Sequence, residues 1–416
     1  MKLALVGDHP DGLDIARAMA AKGRHELLVY AGPAVGAEVL QRDGLTPKRA
    51  GDLEDVLADP DVECVIIASA KASRGAMLRR AVQSERHVLC VHPADAKPDL
   101  AFETALLQAD SGRVVLPLLP EAFHPGVARF GLLARTNGAN VFEIRRASRD
   151  DFWLDLEGDD SRPGLPGWDV MRRIGGEIVE VFALAAEEEP TPGRPVLLAG
   201  KFADGKLFHV TLQANQPEAF WRIAVIGPRP LALVFPDGWP GAASLTYEDD
   251  TGALRTESWA ALPPWSPLID AFERAVTIRK IHAPSPGTTD ERCWTSSEQP
   301  STEAIQAADT MVGMSRGHSN AMLGWTDEIR GLELDDAVRR SLRYRRSSTL
   351  DLQDASEEAS FKGTMTLVGC SLMWTILVFL ILSIWIPKIG WVIFPALGIF
   401  LLMQTLRGVI KSDKKK

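Results

Sequence analysis

The chain has few cysteines and histidines, and no apolar stretch near its start is long enough for a secretory signal. Its four cysteines, Cys64, Cys90, Cys293 and Cys370, have none of the spacings of a zinc site and do not form a disulfide framework. We therefore expect a reducing compartment and, since the histidines are also scattered, no metal site. The chain also lacks the excess of basic residues that is typical of nucleic-acid-binding proteins, since its net charge is −9.

Long uncharged runs are absent until the C-terminal end, where two follow each other at residues 364–386 and 389–406. Each has close to the ~20 residues that a helix needs to span a bilayer core. Only Pro387 and Lys388 separate them, and basic residues flank both outer ends. This pattern predicts a two-helix transmembrane hairpin with both ends in the cytoplasm, joined by a linker at 351–363 and followed by a basic tail at 407–416. The alternative is a hairpin buried in a protein core.

Short predicted strands and helices alternate through residues 1–121. Apolar runs such as 62–69 are typical of strands that are buried on both faces of a parallel sheet. The pattern predicts an α/β fold with an N-terminal Rossmann domain, a doubly wound parallel sheet.

The pattern changes at residues 122–350, where β-rich segments follow each other with few helices between them. We expect an α+β domain with a largely antiparallel, open sheet. Predicted strands lie near 140–148, 195–202, 206–213, 221–226 and 231–235, and predicted helices at 125–135, 267–277, 302–318 and 326–346.

A glycine turn follows the first predicted strand. A dinucleotide-binding turn has three glycines in the pattern G-x-G-x-x-G. Here Gly7 and Gly12 match the first and third, His9 stands at the second, and Asp8 and Asp11 add negative charge. The turn is either a modified cofactor site or one that has lost tight binding.

The end of the second predicted strand, residues 30–33, reads Tyr-Ala-Gly-Pro. An acid commonly stands there to bind the ribose of NAD, and an arginine nearby accommodates the 2′-phosphate of NADP. The segment has no acid, and no arginine directly beside it.

The runs at 52–69, 86–93, 122–130 and 268–276 resemble the glucose–fructose oxidoreductase and inositol dehydrogenase family (Gfo/Idh/MocA). The resemblance covers roughly residues 1–350. It implies a Rossmann domain followed by a second domain whose open sheet often serves as an oligomer interface. It also implies oxidation or reduction of sugars, polyols or related compounds with NAD or NADP, with Gly7, His9, Gly12, Ser69 and Pro93 at the cofactor.

The resemblance also assigns a proton-handling position, where this chain departs from the family. The E-K-P motif of the family carries a lysine near the nicotinamide, and the matching triplet here is Val91-His92-Pro93. His92 can act as a general acid or base near neutral pH. The alternative is a histidine that only fills the end of a strand.

Two other family positions also differ. The family has a glycine run followed by an aspartate and, four residues later, a histidine. The matching segment, 175–184, contains Glu177 and Glu180 on a predicted helix but no histidine. Arg74 stands where the family tends to have a histidine, shortly after the predicted strand at 62–69.

Two functions remain open. The first is a membrane-tethered oxidoreductase that uses NAD or NADP on a small-molecule substrate, with His92 as the catalytic residue. The second is an inactive relative, a Rossmann-based binding or scaffold protein held at the membrane. For both functions we expect a homo-oligomer that forms through the second-domain sheet, and we expect no binding of nucleic acid.

Overall fold

A computed structural model of the chain describes residues 1–95, 98–138, 140–148, 165, 167–185, 195–261, 263, 265–282 and 324–350. Residues Met1–Asp351 form one compact unit. The predicted linker, hairpin and basic tail at 351–416, and the predicted helix at 302–318, lie outside the described residues. None of the described helices is long and apolar enough to cross a membrane.

Six parallel strands form the first sheet in the order β3-β2-β1-β4-β5-β6, which confirms the doubly wound prediction. Their bounds are β1 Lys2–Gly7, β2 Glu26–Ala31, β3 Lys48–Ala50, β4 Cys64–Ala68, β5 His87–Val91 and β6 Val115–Leu118. Every residue of the central strands β4 and β5 is buried, because helices cover both faces of the sheet.

Helices connect these strands, as the predicted alternation requires, with bounds α1 Pro10–Ala21, α2 Ala34–Arg42, α3 Leu53–Ala58, α4 Lys71–Gln83 and α5 Pro98–Ser111. Helix α8, Ser266–His282, comes from the later part of the chain, yet Leu268, Ile269 and Phe272 pack into the same core as Leu3 and Leu5 of β1. The first layer is thus completed by a helix from outside residues 1–121.

Nine strands form the second sheet in the order β14-β13-β12-β11-β7-β10-β9-β8-β15. All of its neighbouring pairs are antiparallel except β7 and β10, which are parallel. Their bounds are β7 Val141–Ala147, β8 Ile178–Ala185, β9 Val196–Phe202, β10 Leu207–Gln213, β11 Phe220–Ile226, β12 Leu231–Phe235, β13 Ala243–Glu248, β14 Leu254–Trp259 and β15 Ser348–Thr349.

One face of this sheet is covered and the other is open. Helices α6 Pro125–Thr136 and α7 Trp168–Gly175 pack on the covered face. In β10, Phe208, Val210 and Leu212 are buried, whereas Leu207 on the other face is about half exposed. This alternation is the period of two that a half-buried strand requires.

The segment with Glu177 and Glu180 is not a helix, so that prediction was wrong. Residues Ile178–Ala185 form β8, which pairs with β9 over seven registered positions. Gly176 has a φ of +94°, a left-handed conformation that ends α7 and turns the chain into the strand. The run Ile-Val-Glu-Val-Phe is rich in β-branched and aromatic residues, and sheet pairing outweighs the helical reading that the glycines suggested.

Helix α9, Trp325–Tyr344, bridges the two layers. The Trp325 indole Nε1 donates to Ala101 O of α5 at 2.8 Å, and the backbone N–H of Ala183 in β8 donates to Ser341 Oγ at 2.9 Å. The sequence predicted this helix at 326–346. Its first turn lies beside the end of β5, where it brings acidic side chains to His92.

Candidate functional site

The candidate site lies at the carboxyl ends of β1, β4 and β5. In doubly wound sheets, ligands bind outside this edge because the strand ends and helix N-termini converge there. The loops after these strands carry His9, Ser69, His92 and Pro93, all of which the sequence had singled out, and α9 adds residues from the far end of the chain.

His92 is held by a buried glutamate. Its Nδ1 lies 2.6 Å from Glu328 Oε2, and the backbone N–H of Ala94 donates to Glu328 Oε1 at 2.6 Å. Glu328 is fully buried, whereas about a fifth of the His92 side chain is exposed. With Nδ1 engaged, Nε2 is the imidazole atom available to a ligand. A carboxylate that orients an imidazole through Nδ1 and stabilises its charged form is the arrangement of many general bases.

Burial alone would lower the pKa of His92, but its acidic surroundings outweigh that effect and raise it. The Glu328 carboxylate contributes most to the rise, and Asp335 and Asp169 add to it. Asp335 is itself fixed, because it accepts from Trp168 Nε1 at 2.7 Å and from the Leu165 N–H at 3.1 Å. His92 is therefore a stronger base than an ordinary histidine.

Asp169 is a second unusual carboxyl group of this region. It is 5% exposed, and its Oδ2 has no hydrogen-bond partner among the described residues. Burial, followed by repulsion from Glu121 and Asp327, raises the pKa of Asp169 to about 7. Such displacements are characteristic of functional sites, although ion-pair networks also produce them.

An arginine on α7 ties that helix to α9. Arg172 forms ion pairs with both Asp327 and Glu177. Burial raises the pKa of Asp327, which Arg172 opposes. Glu177, a candidate from the sequence, thus has a structural partner, and Glu180 lies in the β8 ladder opposite Lys201 and Thr349. Neither is placed at His92 by any described contact.

Arg74 joins the loops after β4 and β5. Its Nε and Nη2 donate to Ser69 O at 3.1 and 2.9 Å, and its Nη1 donates to Pro93 O at 2.6 Å. Arg74 is 3% exposed, and burial lowers its pKa. A guanidinium can satisfy several carbonyls at once, which a histidine cannot. Arg74 therefore fixes the loops of Ser69 and Pro93 beside one another.

The glycine turn needs both of its glycines. Gly7 has a φ of +99°, and a Cβ there would lie 2.2 Å from Ala68 O. A Cβ on Gly12 would lie 2.1 Å from the Cβ of Ala68. Because neither residue has a Cβ, β1 and α1 can pack closely against the end of β4. The first and third glycines of a dinucleotide turn have this packing role.

His9 occupies the middle of that turn as the N-cap of α1. Its Nδ1 accepts from the Asp11 N–H at 3.3 Å, one of the donors at the helix N-terminus that a phosphate would otherwise face. Burial lowers the pKa of His9, and Arg74 lowers it further against the opposing charge of Asp11. His9 is therefore less prone than an ordinary histidine to carry a positive charge that a phosphate could use.

An arginine of the neighbouring strand β3 lies beside the end of β2, where the local sequence did not predict one. Arg49 of β3 pairs in register with Tyr30, its guanidinium lies 4.8 Å from the centre of the Tyr30 ring, and its Nη2 donates to Gly32 O at 2.7 Å. The prediction that no arginine lies directly beside residues 30–33 is true along the sequence, but Arg49 lies beside them in the sheet. The strand pairing that brings Arg49 across cannot be seen in the local sequence.

Glu328 was also missed, although the sequence held a signal for it. Residues Trp325, Glu328, Ile329, Leu332 and Asp335 recur at intervals of three and four, which places them on one face of a helix. Two carboxylates on an otherwise apolar face predict buried acids, and buried acids need a partner.

Other aromatic and histidine side chains pack in the core. Trp168, Trp221 and Trp265 are buried. His124 caps α6 by accepting from the Gly126 N–H at 3.0 Å, and burial lowers its pKa to about 4. Within the described ranges, no group of three or more metal-binding side chains comes together.

Comparisons with known proteins agree on the architecture. The D-xylose 1-dehydrogenase (NADP(+)) 2 of Haloferax volcanii is 26% identical over 249 residues, covering 55% of this chain and 74% of the archaeal enzyme. Levoglucosan dehydrogenase, solved with NADH and levoglucosan, has a TM-score of 0.60 at 15% identity over 85% of this chain and 100% of its own. An NAD-binding oxidoreductase from Klebsiella pneumoniae has a TM-score of 0.59 at 16% identity over 85% and 99%.

The chain has the fold of these dehydrogenases. No protein-family model matches it. At these identities the structural likeness establishes the fold, and the function has to be argued from the site itself.

Proposed function

We propose that this chain is an NAD(P)-dependent oxidoreductase of the Gfo/Idh/MocA type that acts on a hydroxyl or carbonyl group of a sugar, polyol or related small molecule. The observation that carries the proposal is the pair formed by His92 and the buried Glu328 at the carboxyl end of β5. The family resemblance puts a catalytic lysine at this position, and the pair restores a proton-handling group there.

The described residues fit a dinucleotide, although not at every point. Gly7 and Gly12 form the close strand-to-helix turn, and Ser69 Oγ is buried at the same edge without a hydrogen-bond partner among the described residues. An unpaired buried hydroxyl is costly unless a ligand completes it. His9 and the carboxylates Asp8 and Asp11 oppose the pyrophosphate, and we expect moderate rather than tight binding.

The chemistry of the site follows from its own residues. His92 Nε2 would accept the proton of a substrate hydroxyl, and the Glu328 carboxylate would stabilise the imidazolium that results. The nicotinamide, when bound, would supply the hydride acceptor. In the reverse direction the imidazolium would return the proton to the carbonyl oxygen. The raised pKa of His92 suits both directions near neutral pH.

The comparisons support this class of reaction. The Haloferax relative is named for D-xylose and NADP(+), and one solved structure of the same fold holds NADH together with levoglucosan. Both names describe carbohydrates and nicotinamide cofactors, in agreement with the site.

We also propose that the open face of the second sheet pairs with a second copy of the chain. Leu184, Leu197, Leu207 and Ile226 on that face are about half exposed.

We propose further that the uncharged runs at 364–386 and 389–406 anchor the chain in a membrane, with both ends in the cytoplasm. Reporter fusions at the C-terminus and at Lys388 test the topology. A reporter at the C-terminus that responds as extracytoplasmic would contradict it.

An inactive binding protein is the second candidate, favoured by His9 in the phosphate turn and by the missing family histidine. The decisive experiment uses the full chain in detergent micelles, titrated with NADH and NADPH by fluorescence and then assayed with polyols and aldoses and both oxidised cofactors. We expect saturable binding and turnover with at least one substrate. Binding without turnover across the panel, or no binding of either cofactor, would favour the inactive protein and contradict the oxidoreductase.

A further inference from the structure

Arg49 is a fixed and exposed cation at the carboxyl end of β2. Its Nη2 donates to Gly32 O at 2.7 Å, its Nη1 donates to Pro33 O at 3.4 Å, and its guanidinium lies 4.8 Å from the centre of the buried Tyr30 ring. The Tyr30 hydroxyl donates to Pro33 O at 3.0 Å and holds the same loop. An exposed arginine usually samples many rotamers, whereas this one is held at three points.

The fixed guanidinium retains donors for a ligand. Arginine has five N–H groups in a planar fork, and the described contacts with Gly32 O and Pro33 O involve one nitrogen each. The fork geometry matches phosphate oxygens, and a preorganised side chain loses little entropy on binding. The position is also specific, because the end of β2 is where a dinucleotide presents its adenosine ribose.

The loop at this position has no carboxylate of its own. Tyr30, Ala31, Gly32 and Pro33 offer no acid to the 2′ and 3′ hydroxyls of NAD. Asp8, which follows β1, is an acid close enough to this loop that its charge, after burial, contributes to the raised pKa of Tyr30. Asp8 is exposed and is screened by solvent. A carboxylate at this point would favour NAD.

We propose that Arg49 binds the 2′-phosphate of NADP and that this chain is selective for NADP over NAD. The inference rests on the proposed function, since it concerns the same cofactor. It also explains how the chain could retain a dinucleotide despite His9. A phosphate contact at the adenosine end would offset the weak contact at the pyrophosphate.

The test measures binding rather than turnover. The full chain in detergent micelles is titrated with NADPH and NADH by fluorescence, and with adenosine 2′,5′-bisphosphate and 5′-AMP by calorimetry. We expect each 2′-phosphorylated ligand to bind at least tenfold more tightly than its partner. Arg49→Ala should remove this difference by weakening only the 2′-phosphorylated ligands. Lys48→Ala, which removes the neighbouring exposed cation of β3, is the matched control and should leave the difference intact.

Three results would overturn the inference: NADH binding as tightly as NADPH, Arg49→Ala weakening both dinucleotides equally, or Lys48→Ala having the same effect as Arg49→Ala. These outcomes leave the oxidoreductase proposal standing. Absence of binding by every probe would overturn both.

Discussion

Two histidines follow strands of the same parallel sheet, and their surroundings differ in every respect that matters for chemistry. His9 follows β1, caps α1, and has its pKa lowered by burial and by Arg74. His92 follows β5, contacts the fully buried Glu328 at 2.6 Å, and has its pKa raised. His9 stands where a dinucleotide turn has glycine, and His92 stands in the Val91-His92-Pro93 triplet at the end of β5.

The comparison shows that two histidines at strand ends of one sheet differ in basicity because their surroundings differ. His9 uses Nδ1 as an acceptor for a backbone N–H, which requires the neutral imidazole. His92 faces a carboxylate, which favours the charged imidazole. Of these two residues, His92 is suited to hold a proton, and His9 serves as the N-cap of α1.

The largest effect is expected from removing the basic imidazole. His92→Ala should lower kcat by ~10²-fold or more, the usual scale for losing a general base, whereas His209→Ala on the open sheet face should leave kcat within twofold. Steady-state kinetics on whichever substrate the panel identifies gives the comparison. Equal turnover in His92→Ala and the parent would remove His92 from the mechanism.

The next largest effect is expected from removing the charge of its partner. In Glu328→Gln the charge that raises the pKa of His92 is lost, whereas the lowering effect of burial remains. The pKa of His92 should therefore fall, and the rising limb of the pH–rate profile should move to lower pH. The plateau should drop by about tenfold, since the imidazolium loses its counter-charge. Glu333→Gln on the same helix is the control. A lower plateau with an unmoved limb would mean that Glu328 is only structural.

The sequence predicted the layers of this fold well and its site only in part. Apolar runs identify β4 and β5 because both faces of these strands are buried. His92 is visible by its place in the Val91-His92-Pro93 triplet. Glu328 and Arg49 were missed because they reach the site through contacts between distant segments, 236 positions apart for His92 and Glu328.

The error at β8 has a different cause. The glycines at 175 and 176 resemble the start of a family helix, but the β-branched residues after them pair with β9. Local propensity and tertiary pairing agreed there, and the motif resemblance misled the prediction. The hydrogen bonds of Arg74 could not be predicted either, since its acceptors Ser69 O and Pro93 O belong to two different loops.

A smaller effect is expected at the other histidine. His9→Gly should tighten NADPH and NADH binding three- to tenfold, because it removes a side chain from the pyrophosphate position and releases the Asp11 N–H. Glycine is tolerated as an N-cap at a cost of a few tenths of a kcal/mol. Asp14→Asn on the outer side of α1 serves as the control. Weaker binding in His9→Gly would make His9 a ligand contact and reverse the comparison.

The smallest effect is expected at Asp169. Its pKa of about 7 in the folded chain exceeds the ~3.9 of an unfolded aspartate, so the folded state binds more protons between these values and stability falls as pH rises from about 4 to 7. Asp169→Asn removes this loss and should raise the melting temperature by roughly 2–4 °C at pH 8, with little change at pH 4. A gain of the same size at both pH values would contradict the raised pKa.

The most direct test of the central claim is a histidine titration by NMR, on the full chain with ¹³C-labelled imidazoles and with the signals assigned by His92→Gln and His9→Gln. The His92 signal should titrate above the ordinary value of ~6.5 and move downward in Glu328→Gln. The His9 signal should titrate below that value in both proteins. A His92 signal that titrates at or below 6.5, or that Glu328→Gln leaves unchanged, would contradict the account.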